Sequence, residues 1–255
     1  MAKTKDKNEW GSNLSFLLAM IGSAVGLGNI WRYPYVLYSN GGGAFFIPYI
    51  VAILIMGIPF LILEYGVGYN FKSSFPKAVK SISKKWEYLG WFLPVAVFMI
   101  LIYYSAILGW DGFYVIISAF KGWGADPNAY FTGSFLQAND TLGGLGTFVP
   151  FVAIAMLVGW VIMWVISHTD LEKGLGRVSK VLVPLLFAIM IFIVLFSLTL
   201  PGAGIGLAEL YNPDWSLLLN FNIWMAAFGQ MIFSLSLGMS IAFTYASYTK
   251  DDSDL

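Results

Sequence analysis

An all-α polytopic membrane protein is the fold class predicted for this 255-residue chain. Three observations predict it: an apolar composition, six long apolar stretches, and basic residues gathered in alternate connections. Apolar residues make up 58% of the chain and charged residues 11%, and mean hydropathy is +0.75. A soluble domain cannot hide that much apolar surface. There is no cysteine and one histidine, His168, which excludes disulfides, thiolate metal sites, cysteine nucleophiles and c-type haem attachment. Zero formal net charge argues against a nucleic-acid partner; the expected surroundings are the lipid bilayer.

The spans are expected at about 13–38, 43–69, 88–121, 147–167, 177–200 and 222–248 of a single membrane domain covering 1–255, each long enough for a hydrocarbon core of about 30 Å. Lys3, Lys5 and Lys7 followed by apolar residues imitate a signal peptide. No small-residue cleavage pattern closes the run, which continues through Trp31 and Tyr35, so it is a retained first span. Span two opens after the turn signal Asn40-Gly41-Gly42-Gly43 and carries Gly57, Pro59 and a lone carboxylate, Glu64. Span three holds Tyr103, Tyr104 and Ser105 near its middle. Asp111, nearer its far end, suits either a pathway charge or an interfacial anchor. Polar loops at about 122–146, with a glycosylation-type triplet Asn139-Asp140-Thr141, and at 201–220 separate the later spans. His168 and Asp170 sit in the turn after span four, as solvated loop residues.

The basic residues set the orientation. Lys3, Lys5 and Lys7, then Lys72, Lys77, Lys80, Lys84 and Lys85, then Lys173, Arg177 and Lys180, and finally Lys250 all fall on one side. Only Arg32, inside a span, and Lys121 fall elsewhere. The positive-inside rule therefore places both chain ends in the cytoplasm, with the protein in the plasma (cell inner) membrane.

Two spans break local rules. Gly22-Ser23-Ala24-Val25-Gly26-Leu27-Gly28-Asn29 packs three glycines, a serine and an asparagine into mid-span, with Arg32 and Pro34 just beyond. Each glycine costs a helix about 1 kcal/mol relative to alanine, and an amide or guanidinium within a span needs a cavity or a partner. Span six repeats the anomaly in Ser234-Leu235-Ser236-Leu237-Gly238-Met239-Ser240. Small residues also serve close helix packing, and Gly22-x-x-x-Gly26 fits that pattern. If each helix unwinds at its break, the first half ends in free carbonyls that suit a cation. The second half begins with free amides that suit a carboxylate. For span one the carbonyls come from about Gly22 to Val25 and the amides from about Leu27 and Gly28. Discontinuous helices of this kind mark transporter sites near the bilayer midplane.

The run from Gly22 through Asn29 and on to Ile30-Trp31-Arg32-Tyr33-Pro34-Tyr35, followed by Asn40-Gly41-Gly42-Gly43-Ala44-Phe45, resembles the neurotransmitter:sodium symporter family. Gly57-Ile58-Pro59 with Glu64, Tyr103-Tyr104, Gly229-Gln230, Ser234 to Gly238 and Thr244 to Tyr248 continue the match in register.

The resemblance implies two sodium sites, one from the Ala24 carbonyl, the Asn29 side chain and the Ser234 hydroxyl, the other from the Gly22 and Val25 carbonyls. It implies an amino-acid substrate with its carboxylate on the Leu27 and Gly28 amides and the Tyr104 hydroxyl, and its ammonium near carbonyls of Ala24, Phe233 and Ser236. Ile100, Phe233 and Met239 would line the side-chain pocket. Gly26 stands where monoamine-carrying relatives have aspartate, leaving room for a substrate that brings its own carboxylate. Arg32 would gate the outside, Lys7 and Trp10 with Tyr248 would latch the inside, and Glu64 would brace the unwound backbone. Lysine at 7 departs from the family's arginine, and serine at 234 from its frequent threonine.

The family has about twelve spans, the first ten as two inverted five-span repeats. This chain matches the first repeat plus span six, as a truncated or fragmentary part of a carrier. Spans 7–12 would come from the rest of the gene or from another chain. The implied function is sodium-coupled symport of a neutral, apolar amino acid by alternating access, with sodium transported and chloride dependence and oligomeric state left open. The alternative is a non-transporting amino-acid-binding receptor or assembly partner on the same fold. An enzyme is disfavoured, since the spans hold no HExxH, no GxSxG and no clustered ionisable pair.

Overall fold

In the computed structural model the described residues are 9–138 and 148–250, and they are helical with no strand among them. An apolar chain in lipid has no water to satisfy its peptide groups, so helices that bond internally are the available solution. Gly42–Phe71, Lys84–Ser118, Pro150–Ser167 and Glu172–Ser197 are each long and apolar enough to cross a membrane. Asn13–Ala24 and Gly28–Ser39 pass the same test as a pair, bent by 51° at the break between them.

The described chain divides into two compact units, one of residues up to Pro94 together with those from Asp170, the other Val95–Thr169. The first unit starts with α1 (Asn13–Ala24), whose Ser12 N-cap accepts the Ser15 N–H at 3.2 Å. A π-helical segment, Gly28–Arg32, runs into α2 (Tyr33–Ser39). Gly41 and Gly42, at φ +89° and +59°, take the left-handed turn that a side chain would resist. The chain then enters α3 (Phe46–Ala52), a π turn at Ile53–Gly57, and α4 (Ile58–Phe71). Next come α5 (Phe75–Ile82) and the start of α6 (Glu87–Ser118).

The second unit holds the rest of α6, then α7 (Pro127–Ala129), a π segment at Tyr130–Phe135 and α8 (Pro150–Ser167). Rings of Phe113, Tyr114, Phe131 and Phe135 pack on one another in it, with Phe113 and Phe135 stacked at 4.9 Å. The chain returns to the first unit with α9 (Arg177–Ser197), α10 (Ala203–Tyr211), α11 (Phe221–Ser234) and α12 (Ile241–Ser247).

Two small cores hold the first unit. Val36, Ala44 and Phe45 pack on Ile223 and Ala227 of α11, while Ala52 packs on Met231 and Leu237. Many of the large aliphatic and aromatic side chains, such as Phe192 and Ile191, point outward. That is the pattern of helices solvated by lipid, where small residues make the close contacts. The Asn139-Asp140-Thr141 triplet lies outside the described residues.

Candidate functional site

Both sequence breaks are breaks in the structure. α1 stops at Ala24, with Val25 at φ −87° and ψ 84°, outside helical geometry, its N–H still bonded to the Ile21 carbonyl at 2.7 Å. Gly26 N–H turns back to the Ala24 carbonyl at 3.2 Å. The next helical segment begins at Leu27, at φ −51° and ψ −34°, and the Asn29 and Ile30 N–H groups bond back to the Gly26 carbonyl at 3.0 and 3.3 Å. Asn29 Nδ2 donates to the Ala24 carbonyl at 2.6 Å, which brings two of the expected sodium ligands into contact. Gly22 packs against Val183 of α9, and Gly22 and Val25 close the first half-helix.

In the sixth stretch α11 ends at Ser234 and α12 starts at Ile241. The connection takes three left-handed residues, Ser236 (φ +51°), Gly238 (+73°) and Ser240 (+59°), and Met239 lies within it. Two of the three carry a Cβ, which costs of order 1 kcal/mol each. The two breaks are joined by polar contacts. Ser236 Oγ donates to the Ser23 carbonyl at 3.3 Å. Gln230 Nε2 donates to the Gly28 carbonyl and to Ser234 Oγ, both at 3.1 Å. Arg32 Nη1 donates to Gln230 Oε1, and its guanidinium lies 5.4 Å from the Phe233 ring centroid. That ring rests on Gly28, where a Cβ would collide with it. Carbonyl, amide and hydroxyl oxygens are the donors a hard cation takes, and Ala24, Asn29 and Ser234 supply all three kinds within this unit.

Glu64 Oε1, on α4, accepts the Gly238 N–H at 2.8 Å, fixing the second break from outside. Trp10, buried, donates its indole N–H to the Tyr245 carbonyl at 2.8 Å and its backbone N–H to the Tyr248 carbonyl at 3.1 Å. The expected neighbour Tyr248 is thus reached through its backbone, while the ring contact goes to Tyr245 at 5.4 Å. Lys7 lies outside the described residues. Ile100 and Tyr104 sit on α6 in the second unit. Asp111, also there, lines a cavity of about 480 Å³ with Trp110, Tyr114, Pro127, Asn128 and Phe131.

Two residues without an assigned role in the sequence reading hold central places. Gln230, fully buried, bonds both breaks and Arg32. The available signal was an amide inside an apolar run. Glu172 ties the start of α1 to Lys180; as a loop carboxylate beside lysines it gave no signal.

A model of the sodium:neurotransmitter symporter family matches residues 7–126 and 124–255. The chain is 44% identical over 250 residues to an uncharacterised sodium-dependent transporter of Methanocaldococcus jannaschii, across 98% of this chain and 51% of that one. It is 27% identical over 271 residues to the sodium-dependent neutral amino acid transporter B(0)AT2 of Mus musculus, across 98% of this chain and 37% of that one. A crystal structure of MhsT in complex with L-phenylalanine aligns with a TM-score of 0.79 at 36% identity, covering 96% of this chain and 55% of that chain. The chain thus spans about half the length, or less, of the relatives it matches.

Proposed function

Because the chain belongs to the sodium:neurotransmitter symporter family, we propose that it forms part of a carrier that couples sodium to a neutral, apolar amino acid by alternating access. The observation that carries this reading is the pair of breaks at 25–27 and 235–240, bonded to each other through Ser236, Gln230 and Ser234. In this reading sodium sits among the Ala24 carbonyl, Asn29 and Ser234, with a second ion at the Gly22 and Val25 carbonyls. The substrate carboxylate takes the Leu27 and Gly28 amides, and Gly26 leaves the space. The ammonium faces the carbonyls near Ala24, Phe233 and Ser236, and Phe233 and Met239 line the side-chain pocket. The L-phenylalanine bound to MhsT and the neutral amino acids of the mouse relative's name support an amino-acid substrate.

The energetics suit such a carrier. One charge moving down 100 mV supplies about 2.3 kcal/mol, so two sodium ions can concentrate a zwitterion by roughly three decades before the sodium gradient is counted. The test is uptake of radiolabelled neutral amino acids by cells expressing the complete gene. Uptake is expected to require sodium and to be lost in Asn29→Ala; uptake indifferent to sodium overturns the reading.

A further inference from the structure

α1 packs along α9, with Gly22 against Val183, and its two ends are held differently. At its Ala24 end it meets an unwound break and a 51° bend. At its other end polar contacts pin it: Trp10 to the Tyr245 and Tyr248 carbonyls, and Gly11 and Ser15 to Glu172. A rigid half-helix with a hinge at one end and releasable ties at the other can swing, and the ties decide how often.

The charged tie is Glu172. Its Oε1 accepts the Ser15 hydroxyl and the Lys180 ammonium, each at 2.7 Å, and its Oε2 accepts the Gly11 N–H at 3.0 Å. Ser15 is fully buried, and its hydroxyl also lies 2.8 Å from that of Ser12, the residue that caps α1. The local sequence makes room for this carboxylate. A Cβ on Gly11 would stand 2.7 Å from Glu172 Cδ, and one on Gly176 would stand 2.9 Å from Oε2. Charge-assisted bonds are about twice as strong as neutral ones. Here, however, the side chains of Glu172 and Lys180 are 30% and 36% exposed, so water competes for them. The result is a tie firm enough to hold and weak enough to release.

We propose that Glu172 is a positioning residue for transport, a latch whose carboxylate holds the start of α1 on the 172–180 segment and sets how readily α1 swings about its break. The proposal rests on the reading of the chain as an alternating-access carrier, in which this end of α1 faces the cytoplasm. These 255 residues hold no cysteine, so once any thiol in the remaining spans is replaced by serine, single introduced thiols report cleanly. In the full-length carrier, reconstituted in vesicles, Ala19→Cys on α1 (2% exposed) is reacted with a maleimide from the cytoplasmic face, beside a control, Ala52→Cys on α3 (0% exposed).

Glu172→Ala is expected to speed labelling at position 19 roughly fivefold to tenfold, the low end for a partly exposed charge-assisted contact. Glu172→Gln keeps an acceptor oxygen but loses the ion pair, and is expected to speed it less. Labelling at position 52 is expected not to change. Equal rates at position 19 in Glu172→Ala and the parent overturn the latch, and so does an equal rise at both positions, which signals general loosening. Sodium-dependent uptake by the parent protein in the same vesicles separates the two claims: parent uptake with labelling unmoved by Glu172→Ala sinks the latch alone, and a parent without sodium-dependent uptake sinks the carrier reading and with it the role of the latch in transport.

Discussion

Gln230 concentrates the polar chemistry of the first unit in one side chain. It is fully buried, its Oε1 takes Arg32, and its Nε2 serves both the Gly28 carbonyl and Ser234. Replacing it by leucine keeps the volume but strands a guanidinium, a carbonyl and a hydroxyl, and each buried unsatisfied group costs about 1–3 kcal/mol. Gln230→Leu is therefore expected to lower the thermal unfolding midpoint of the detergent-solubilised protein by at least roughly 5 °C, taking about 2–4 °C per kcal/mol for a chain of this size. An unchanged midpoint would show that Arg32 finds another partner. The amide was visible in the sequence, and its role was not, because its contacts lie about 200 positions away. Arg32 shows the same limit. As a single charge inside a span it pointed to a partner without saying which, and the guanidinium meets Gln230 and the Phe233 ring. By contrast, the meeting of Ala24 and Asn29 lies within five residues, close enough for local spacing to point to it.

At the scale of elements, the two broken helices were legible because glycine, serine and asparagine offend helix propensity wherever they gather. Their mutual bonding was not legible, since Ser236 and Ser23 are brought together by packing that no local pattern encodes. The packing of α4 on α12 is another case. A Cβ on Gly68 would strike the backbone of Phe243, whereas one on Gly66, two residues earlier, meets nothing within 4 Å. The sequence shows two equivalent-looking glycines in Gly66-Val67-Gly68. Their alanine variants are expected to move in opposite directions. Gly68→Ala forces α12 away and costs about 1–3 kcal/mol as an overpacked contact, while Gly66→Ala gains up to about 1 kcal/mol of helix propensity. Midpoints of the two variants, measured side by side in one detergent, check this. Equal shifts would mean that α4 and α12 do not meet at Gly68.

For the whole molecule, the all-helical membrane class followed from composition and from apolar runs of span length. The expected orientation rests on charge alone. α5 and its flanks carry Lys72, Lys77, Lys80, Lys84 and Lys85, whereas the connections on the opposite side contribute Lys121. Short loops dense in lysine stay in the cytoplasm because translocating them is unfavourable. On that rule the start of α1, Glu172 and Lys180 are expected to share the cytoplasmic side, and the segment Ala203–Leu219 is expected to lie outside. A membrane-impermeant maleimide applied to intact cells is expected to label Ser216→Cys, which is exposed between α10 and α11, and to leave Ser81→Cys, exposed on α5, untouched until the cells are opened. The reverse pattern would turn the molecule over. The Glu172 contacts would then close an outer path rather than an inner one, and Arg32 would lie on the inner side of the breaks rather than the outer.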